Sequence, residues 1–152
     1  MGSPDRPPRA VLFACGQNSI RSPMAAALYE RMFGGTVASA GVRKGELDGF
    51  AIAAMNEIGV DIASHEPMTF EELEDREDGL DFDLIVTLAP EAHHKALELT
   101  HRIAAAVEYW PTPDPTDIDG NREQRLDAYR AVRDQLMARI SARFSPWLRG
   151  GQ

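Results

Sequence analysis

A cysteine and an arginine lie close together in the segment Cys15–Ser22, whose sequence is CGQNSIRS. A thiolate is a strong nucleophile, and the planar guanidinium group of an arginine can bind two oxygens of a tetrahedral anion. The backbone N–H groups of a loop that winds into a helix can converge on the same anion. Their positive field favours the thiolate form of the cysteine. The segment therefore predicts an oxyanion-binding loop in which Cys15 attacks and Arg21 holds the anion.

The rest of this segment is expected to complete the anion site. Ser22 can donate a hydrogen bond to the thiolate and to the sulfur as it leaves. A cysteine at the end of a buried strand is also a common core residue, and a lone Cys-x5-Arg pair often arises by chance. The apolar run before the segment and the Arg-Ser-Pro opening of a helix after it favour the functional interpretation. The predicted phosphate-binding residues are Gly16, Gln17, Asn18, Ser19, Ile20, Arg21 and Ser22.

Strand and helix patterns alternate around this loop. Short apolar runs predict four strands, at Ala10–Ala14, Thr36–Ala40, Leu84–Leu88 and Ala104–Trp110. Helical patterns follow them at Ser22–Phe33, Asp48–Ile58, Pro90–Thr100 and Asn121–Trp147. Ser22 is the expected N-cap of the first helix, with Pro23 at its first position. The last helix carries apolar residues three or four positions apart, which predicts one buried stripe.

This alternation predicts an α/β fold: a single three-layer domain with a four-stranded parallel sheet and helices on both faces. Residues 1–8 are expected to be a disordered lead-in, because they are rich in proline and charge, and residues 9–149 to be the catalytic domain. Ligands bind such sheets outside the carboxyl ends of the strands, which is where the loop after the first strand lies. The acidic run Glu71–Asp83 is expected to be a solvated helix and turn, and His93, His94 and His101 to be surface residues.

Composition excludes several classes of function. The chain has 152 residues with a formal net charge of -8, and an acidic surface repels nucleic acid. The sequence shows no apolar run long enough to span a membrane and no secretory signal. One cysteine cannot form an internal disulfide or a multi-thiolate zinc site. We therefore expect a cytoplasmic monomer that needs no metal or cofactor and binds neither nucleic acid nor membrane.

The sequence VLFACGQNSIRSPMAAAL, residues 11–28, resembles the signature of the low-molecular-weight protein tyrosine phosphatases and the related thiol-dependent arsenate reductases. The resemblance extends from Arg9 to about Leu148. It includes ASAG at residues 38–41, EIGVDI at 57–62 followed by Ser64-His65, DFDLIV at 81–86 and Asp114-Pro115. It implies the predicted α/β fold and a supporting network in which Asn18 and Ser22 are joined by Ser39 and His65.

The resemblance also supplies a general acid. Attack on a phosphate ester requires a proton for the leaving oxygen, and a carboxyl group held over the site can deliver it. Three acids, Asp114, Asp117 and Asp119, lie in the proline-rich loop Pro111–Gly120, and only the resemblance to the family's Asp-Pro pair selects Asp114. In this interpretation Asp114 then activates the water that hydrolyses the cysteinyl-phosphate.

The sequence departs from the family at three places. Ile20 stands where the phosphatases usually carry a second cysteine, so recovery from oxidation would depend on cellular reductants. Thr116 and Asp117 stand where aromatic residues often line the slot for tyrosine. The segment Thr87–His93 lacks the downstream cysteines of the thioredoxin-coupled reductases.

Three functions remain open at this point. The first is a cysteine-dependent phosphomonoesterase, with protein phosphotyrosine as its expected substrate. The second is an arsenate reductase that uses a small thiol or a glutaredoxin-like partner as reductant. The third is a catalytically silent anion-binding regulatory module. All three bind an oxyanion: phosphate, arsenate or a phosphotyrosine-like group.

Overall fold

The computed structural model describes residues 7–76 and 81–147. Most of the predicted lead-in, residues 77–80 of the acidic run and the last residues of the predicted domain lie outside the described residues. Within the described ranges, no helix is long and apolar enough to cross a membrane.

In the described part of the chain, four strands form one parallel sheet in the order β2-β1-β3-β4. Their bounds are β1, Ala10–Cys15; β2, Thr36–Gly41; β3, Leu84–Thr87; and β4, Ala106–Tyr109. Each matches a predicted strand, although β4 begins two residues later than predicted. The central strand β1 is buried along its whole length, as expected of a parallel strand covered on both faces.

Among residues 7–76 and 81–147, five α-helices cover the sheet. They are α1, Arg21–Phe33; α2, Gly49–Asn56; α3, Phe70–Glu74; α4, Pro90–Leu99; and α5, Arg122–Phe144. Single 3-10 turns lie at Pro115–Asp117 and Ser145–Trp147, so the regular part of the last helix ends before its predicted boundary. The predicted apolar stripe of α5 is buried, from Leu126 to Phe144.

Alternate residues of β1 enter two different cores. Val11 and Phe13 pack with α1, α2 and α5, where Leu28, Met55 and Leu136 are buried. Leu12 and Ala14 pack on the opposite face with α3 and α4, where Phe70 and Leu99 are buried. The predicted three-layer α/β architecture, with helices on both faces of a parallel sheet, is confirmed.

The predicted N-cap of the first helix is wrong. The helix begins at Arg21, its cap position is Ile20, and no side chain caps it. The hydroxyl of Ser22 instead lies 2.9 Å from Cys15 Sγ and accepts a hydrogen bond from Asn18. Ser22 is thus inside the first turn, with its hydroxyl used by the loop rather than by the helix terminus.

The acidic run is more strongly paired than predicted. It does form a helix, α3, which begins with a capping box between Thr69 and Glu72. Three of its glutamates, however, form ion pairs with basic residues of other segments: Glu71 with Lys95, Glu72 with Lys44, and Glu74 with Arg102. These exposed pairs attach α3 to its neighbours rather than leaving the acids simply solvated.

One of the three histidines predicted to be surface residues is partly buried. His93 Nδ1 lies 3.0 Å from the hydroxyl of Thr87, and its ring stacks on Tyr109 with centroids 4.7 Å apart. His94 and His101 are exposed, as predicted. The packing of α4 on β3 and β4 accounts for the difference.

Candidate active site

The segments that follow all four strands line one cavity of about 220 Å³. The loop after β1 provides Cys15, Gly16, Gln17, Ser19, Ile20 and Arg21. The segments after β2, β3 and β4 provide Arg43, Glu46, Asp48, Glu91, Asp114 and Thr116. Because parallel strands all end at one edge of the sheet, residues about a hundred positions apart meet there.

Most of the predicted loop residues line this cavity, but two do not. The side chains of Asn18 and Ser22 are completely buried behind the loop. The structure also separates the three candidate acids of the loop after β4. Asp114 lines the cavity, whereas Asp117 and Asp119 are exposed outside it.

The backbone of the loop is held by the segment after β2. Carbonyl oxygens of the loop accept hydrogen bonds from amides of that segment: Cys15 from Val42, Gly16 from Arg43, Gln17 from Gly45 and Ser19 from Asp48, at 2.9 to 3.2 Å. The C=O and N–H groups of one peptide unit point in opposite directions. The N–H groups that follow these carbonyls are therefore turned away from the segment, towards the inside of the loop, where an anion can accept from them.

The end of β2 passes directly against this loop. A Cβ atom added at Gly41 would lie 2.7 Å from the backbone nitrogen of Asn18 and 2.6 Å from the carbonyl oxygen of Arg43. Real Cβ atoms do not approach backbone atoms this closely. Glycine is therefore required where β2 leaves the sheet.

Asn18 holds the loop in its curved form. Its backbone adopts φ 55°, a left-handed conformation that asparagine tolerates better than most residues. Its side-chain amide donates to Ser22 Oγ at 2.8 Å and to Ser39 Oγ at 2.9 Å. Its Oδ1 accepts from the backbone of Met68 at 2.8 Å and lies 3.1 Å from His65 Nε2. The predicted supporting residues thus meet at one buried asparagine, with all of its hydrogen-bonding capacity used.

The same bonds orient the hydroxyl beside the cysteine. Cys15 is 2% exposed. Because Ser22 Oγ accepts from Asn18, its own proton is available for Cys15 Sγ, 2.9 Å away. Burial lowers the pKa of His65, with the contact to Asn18 and the charge of Glu66 opposing that effect, so His65 is a neutral donor near pH 7. His65 thus donates to Asn18, Asn18 donates to Ser22, and Ser22 donates to the sulfur of Cys15.

Arg21 connects the loop to the segment that carries the acid. Its Nη1 donates to the carbonyl oxygen of Thr112 at 2.9 Å. Thr112 is itself buried and donates from its hydroxyl to the carbonyl of Trp110 at 2.8 Å. The guanidinium group is therefore held in a fixed place at the cavity wall.

Asp114 also lines the cavity. Its Oδ1 accepts from the hydroxyl of Thr116 at 2.6 Å and from the backbone of Thr116 at 3.0 Å. Burial acts to raise the pKa of Asp114, but the two bonds from Thr116 and the charge of Arg21 together lower it below its ordinary value. Asp114 is therefore a carboxylate near neutral pH.

An ion pair that sequence reasoning missed lies over the loop. Arg43 binds both carboxylate oxygens of Glu91, at 2.8 and 3.1 Å. A Cβ atom at Gly16 would collide with the Glu91 carboxylate, which shows how closely this side chain covers the loop. Hydrogen bonds from Arg43 lower the pKa of Glu91, which keeps it ionised. Glu91 lies in the first turn of α4, shortly after the end of β3. This position at the carboxyl end of a predicted strand is the sequence feature that indicates Glu91 as a site residue.

Asp48, another wall residue, is anchored by two helices. Asp48 caps α2 by accepting from the backbone of Phe50 at 2.8 Å, and it accepts from the hydroxyl of Tyr129 in α5 at 2.9 Å. Burial and the bond to Asp48 raise the pKa of Tyr129, so this hydroxyl stays a donor. Among the described residues, no group of three or more histidine, cysteine, aspartate or glutamate side chains is arranged to hold a metal ion.

The known proteins that this chain resembles are phosphatases and arsenate reductases. The family model of the low molecular weight phosphotyrosine protein phosphatases matches residues 10–145. The arsenate reductase of Shouchella clausii is 31% identical over 136 residues, which cover 87% of this chain and 92% of the relative. The glutaredoxin arsenate reductase of Synechocystis is 30% identical over 135 residues, which cover 87% and 93%. A tyrosine phosphatase of Erwinia amylovora shares the fold with a TM-score of 0.71 at 19% identity, over 95% and 96% of the two chains.

Proposed function

The chain belongs to the low molecular weight phosphotyrosine protein phosphatase family, an enzyme family of phosphatases and arsenate reductases, and we propose that it is a cysteine-dependent phosphomonoesterase. The observation that carries the proposal is the meeting of Cys15, Arg21 and Asp114 around one cavity. A nucleophile, an anion-binding guanidinium group and a carboxyl group are the parts that a two-step phosphoryl transfer requires. Phosphotyrosine in proteins is the proposed substrate.

In the first step, the Cys15 thiolate attacks phosphorus and the bond from phosphorus to the ester oxygen breaks. The inward-facing loop amides and Arg21 bind the equatorial oxygens, whose charge they stabilise in the transition state. Asp114 gives its proton to the leaving oxygen. A bound phosphoryl dianion opposes ionisation of Asp114, because like charges in one cavity raise a pKa.

In the second step, the Asp114 carboxylate takes a proton from water while the water oxygen attacks phosphorus. The S–P bond then breaks, which releases phosphate and returns the thiolate. The hydroxyl of Ser22, 2.9 Å from Cys15 Sγ, donates to the sulfur as it leaves. This bond stabilises the thiolate before it attacks phosphorus and again when it leaves phosphorus.

The test is hydrolysis of p-nitrophenyl phosphate from pH 5 to 8. We expect Cys15→Ser to abolish turnover, because a serine hydroxyl lacks the nucleophilicity of a thiolate. Asp114→Asn should lower kcat by roughly 100-fold or more, as loss of a general acid does. Asp117→Asn is the matched control, since Asp117 lies in the same loop outside the cavity, and it should retain wild-type turnover. Wild-type turnover in Cys15→Ser would exclude the proposal.

Arsenate reduction by an external thiol is the second candidate, and it is supported by the names of the curated relatives. Cys15 would displace water from arsenate and form a Cys15–arsenic(V) adduct. A small thiol then attacks the sulfur of Cys15, which forms a mixed disulfide while the S–As electron pair stays on arsenic as arsenite. A second thiol, such as that of a glutaredoxin, reduces the mixed disulfide. The sole cysteine of the chain cannot form an intramolecular disulfide, so the reductant must be external.

Arsenite formation separates the two candidates. The protein is incubated with arsenate, glutathione and a glutaredoxin, and arsenite is quantified beside hydrolysis of p-nitrophenyl phosphate. Arsenite formation without phosphate ester turnover would replace the first proposal by the second. A folded protein that binds phosphate but performs neither reaction would be an anion-binding module.

A further inference from the structure

The wall of the cavity carries more negative charge than the proposed reaction uses. Two arginines, Arg21 and Arg43, line the cavity together with four carboxylates: Glu46, Asp48, Glu91 and Asp114. Only Asp114 has a part in phosphoryl transfer. The other three would repel a phosphoryl dianion and can instead contact the group that carries the phosphate.

These three carboxylates are not equivalent. Glu91 is paired with Arg43 through two hydrogen bonds, so the pair is close to neutral. Asp48 accepts hydrogen bonds from α2 and from Tyr129 but faces no arginine or lysine within hydrogen-bond distance among the described residues. Glu46 is exposed and forms no ion pair with another described residue. Uncompensated negative charge at the wall therefore comes from Glu46 and Asp48.

Three other basic residues, Lys44, Arg122 and Arg125, do not line the cavity. Lys44 pairs with Glu72 of α3 at 2.7 Å. Arg122 and Arg125 lie over the ring of Phe50, at 5.4 and 4.9 Å from its centroid, and neither lines the cavity. Among the described residues that line the mouth, the anion-binding loop thus lies beside two carboxylates without an ion pair, Glu46 and Asp48.

We propose, on the basis of the proposed phosphatase function, that the mouth selects phosphorylated protein segments with lysine or arginine beside the phosphorylated residue. The phosphoryl group enters the loop, and the neighbouring cation lies against Glu46 and Asp48. Among the lining residues of the described chain, Ile20 is the one large apolar side chain and no aromatic residue is present. Selection at this mouth therefore rests on charge more than on stacking. Glu46 is the specificity-determining residue that can be changed without disturbing a helix cap.

The test uses three phosphotyrosine peptides that differ only in the two residues flanking the phosphotyrosine: lysine, glutamine or glutamate. For the wild type at low salt we expect kcat/KM to be about 5-fold or more higher for the lysine peptide than for the glutamate peptide. Because exposed charges are screened, the ratio should fall in 0.3 M NaCl. Glu46→Gln should reduce the ratio by about 2-fold, with p-nitrophenyl phosphate turnover as the reference for each variant.

Glu98→Gln is the matched control. It removes the same charge from an exposed position of α4 that does not line the cavity. A change in peptide preference as large in Glu98→Gln as in Glu46→Gln would assign the preference to the overall charge of -8 and overturn the role of the mouth. Turnover of p-nitrophenyl phosphate with equal kcat/KM for all three peptides would overturn this inference alone. Loss of turnover on every substrate in the wild type would overturn the phosphatase proposal as well.

Discussion

At the scale of single residues, a chain of hydrogen bonds orients the donor that contacts the nucleophile. The sulfur of Cys15 receives its bond from Ser22, and Ser22 can donate because its oxygen already accepts from Asn18. Asn18 is in turn fixed by His65 and Ser39. Each hydrogen bond fixes the orientation of the next group in the chain. In this way the partly buried His65 helps to orient the hydroxyl that donates to the buried sulfur of Cys15.

The acid offers a prediction at the same scale. Thr116→Val keeps the shape and the backbone bond of residue 116 but removes the 2.6 Å bond to Asp114. Since that bond stabilises the carboxylate, its loss raises the pKa of Asp114. If Asp114 must be protonated to act, the fall of kcat/KM at high pH then moves to higher pH. The measurement is a pH profile of p-nitrophenyl phosphate hydrolysis.

The control for this shift is the same substitution in an Asp114→Asn background. There it should leave the profile unmoved, because the titrating group is gone. Two results would contradict the assignment of Asp114 as the acid. In the first, kcat/KM of Thr116→Val falls at a lower pH than in the wild type. In the second, the pH of this fall shifts equally in the Asp114→Asn background.

At the scale of elements, the loop gets its shape from a neighbouring strand. The chain leaves β1, turns through the loop and enters α1, while the segment after β2 donates to the outward-facing carbonyls of that turn. Without that segment the loop carbonyls would lose these four donors, so the two segments stabilise one another. The close passage at Gly41 is what allows the two backbones to meet.

Gly41→Ala should therefore distort the loop. The added methyl group would lie within 2.8 Å of three backbone atoms, so the loop or β2 must move. We expect kcat/KM for p-nitrophenyl phosphate to fall by at least ~10-fold and the protein to lose about 1–3 kcal/mol of stability, as overpacking costs. Turnover kinetics and thermal unfolding measure the two effects.

Gly49→Ala provides the comparison. A Cβ atom at Gly49, the first residue of α2, has no neighbour within 4 Å, so this variant should retain both activity and stability. Equal behaviour of the two alanine variants would show that close passage at Gly41 does not shape the loop.

At the scale of the whole molecule, the parallel sheet assembles the site. Each strand ends at the same edge, and the following segment adds at least one cavity residue, from Cys15 after β1 to Asp114 after β4. Packing on both faces, with Phe13 on one side and Leu12 on the other, fixes the strands that carry these segments. The site is therefore a property of the complete domain.

The cysteine count of the whole chain leads to a prediction about oxidation. Hydrogen peroxide should convert Cys15 to a sulfenic acid and abolish turnover of p-nitrophenyl phosphate. Because the chain has one cysteine, activity should return only when an external thiol such as glutathione is added after the peroxide is removed. Activity assays and intact mass measure the oxidised and recovered states.

Ile20→Cys is the matched variant, since it places a second thiol in the loop where family members usually carry one. We expect it to survive longer exposure to peroxide and to recover with dithiothreitol, because a disulfide protects the sulfur from irreversible oxidation. Spontaneous recovery of the wild type without any thiol would contradict the prediction.

The sequence by itself determined the fold and the identity of the candidate reacting groups. Apolar runs and helical stripes report local burial, so the four strands could be predicted from short apolar runs and α5 from apolar residues three or four positions apart. The spacing of Cys15 and Arg21 on a strand-to-helix turn predicted an anion loop, because that geometry is local. The start of the first helix differs from its prediction: α1 begins at Arg21 without a capping side chain, because the hydroxyl of Ser22 is used by the loop.

Only the tertiary structure decided which distant residues reach the cavity. The resemblance to the family's Asp-Pro pair selected Asp114 over Asp117 and Asp119, and the backbone path of the loop after β4 brings Asp114 alone of the three to the wall. The Arg43–Glu91 pair joins segments after two different strands, so no local pattern could predict it. The physical reason is that local preferences act along the chain, whereas a site is made by packing between segments that are far apart in it.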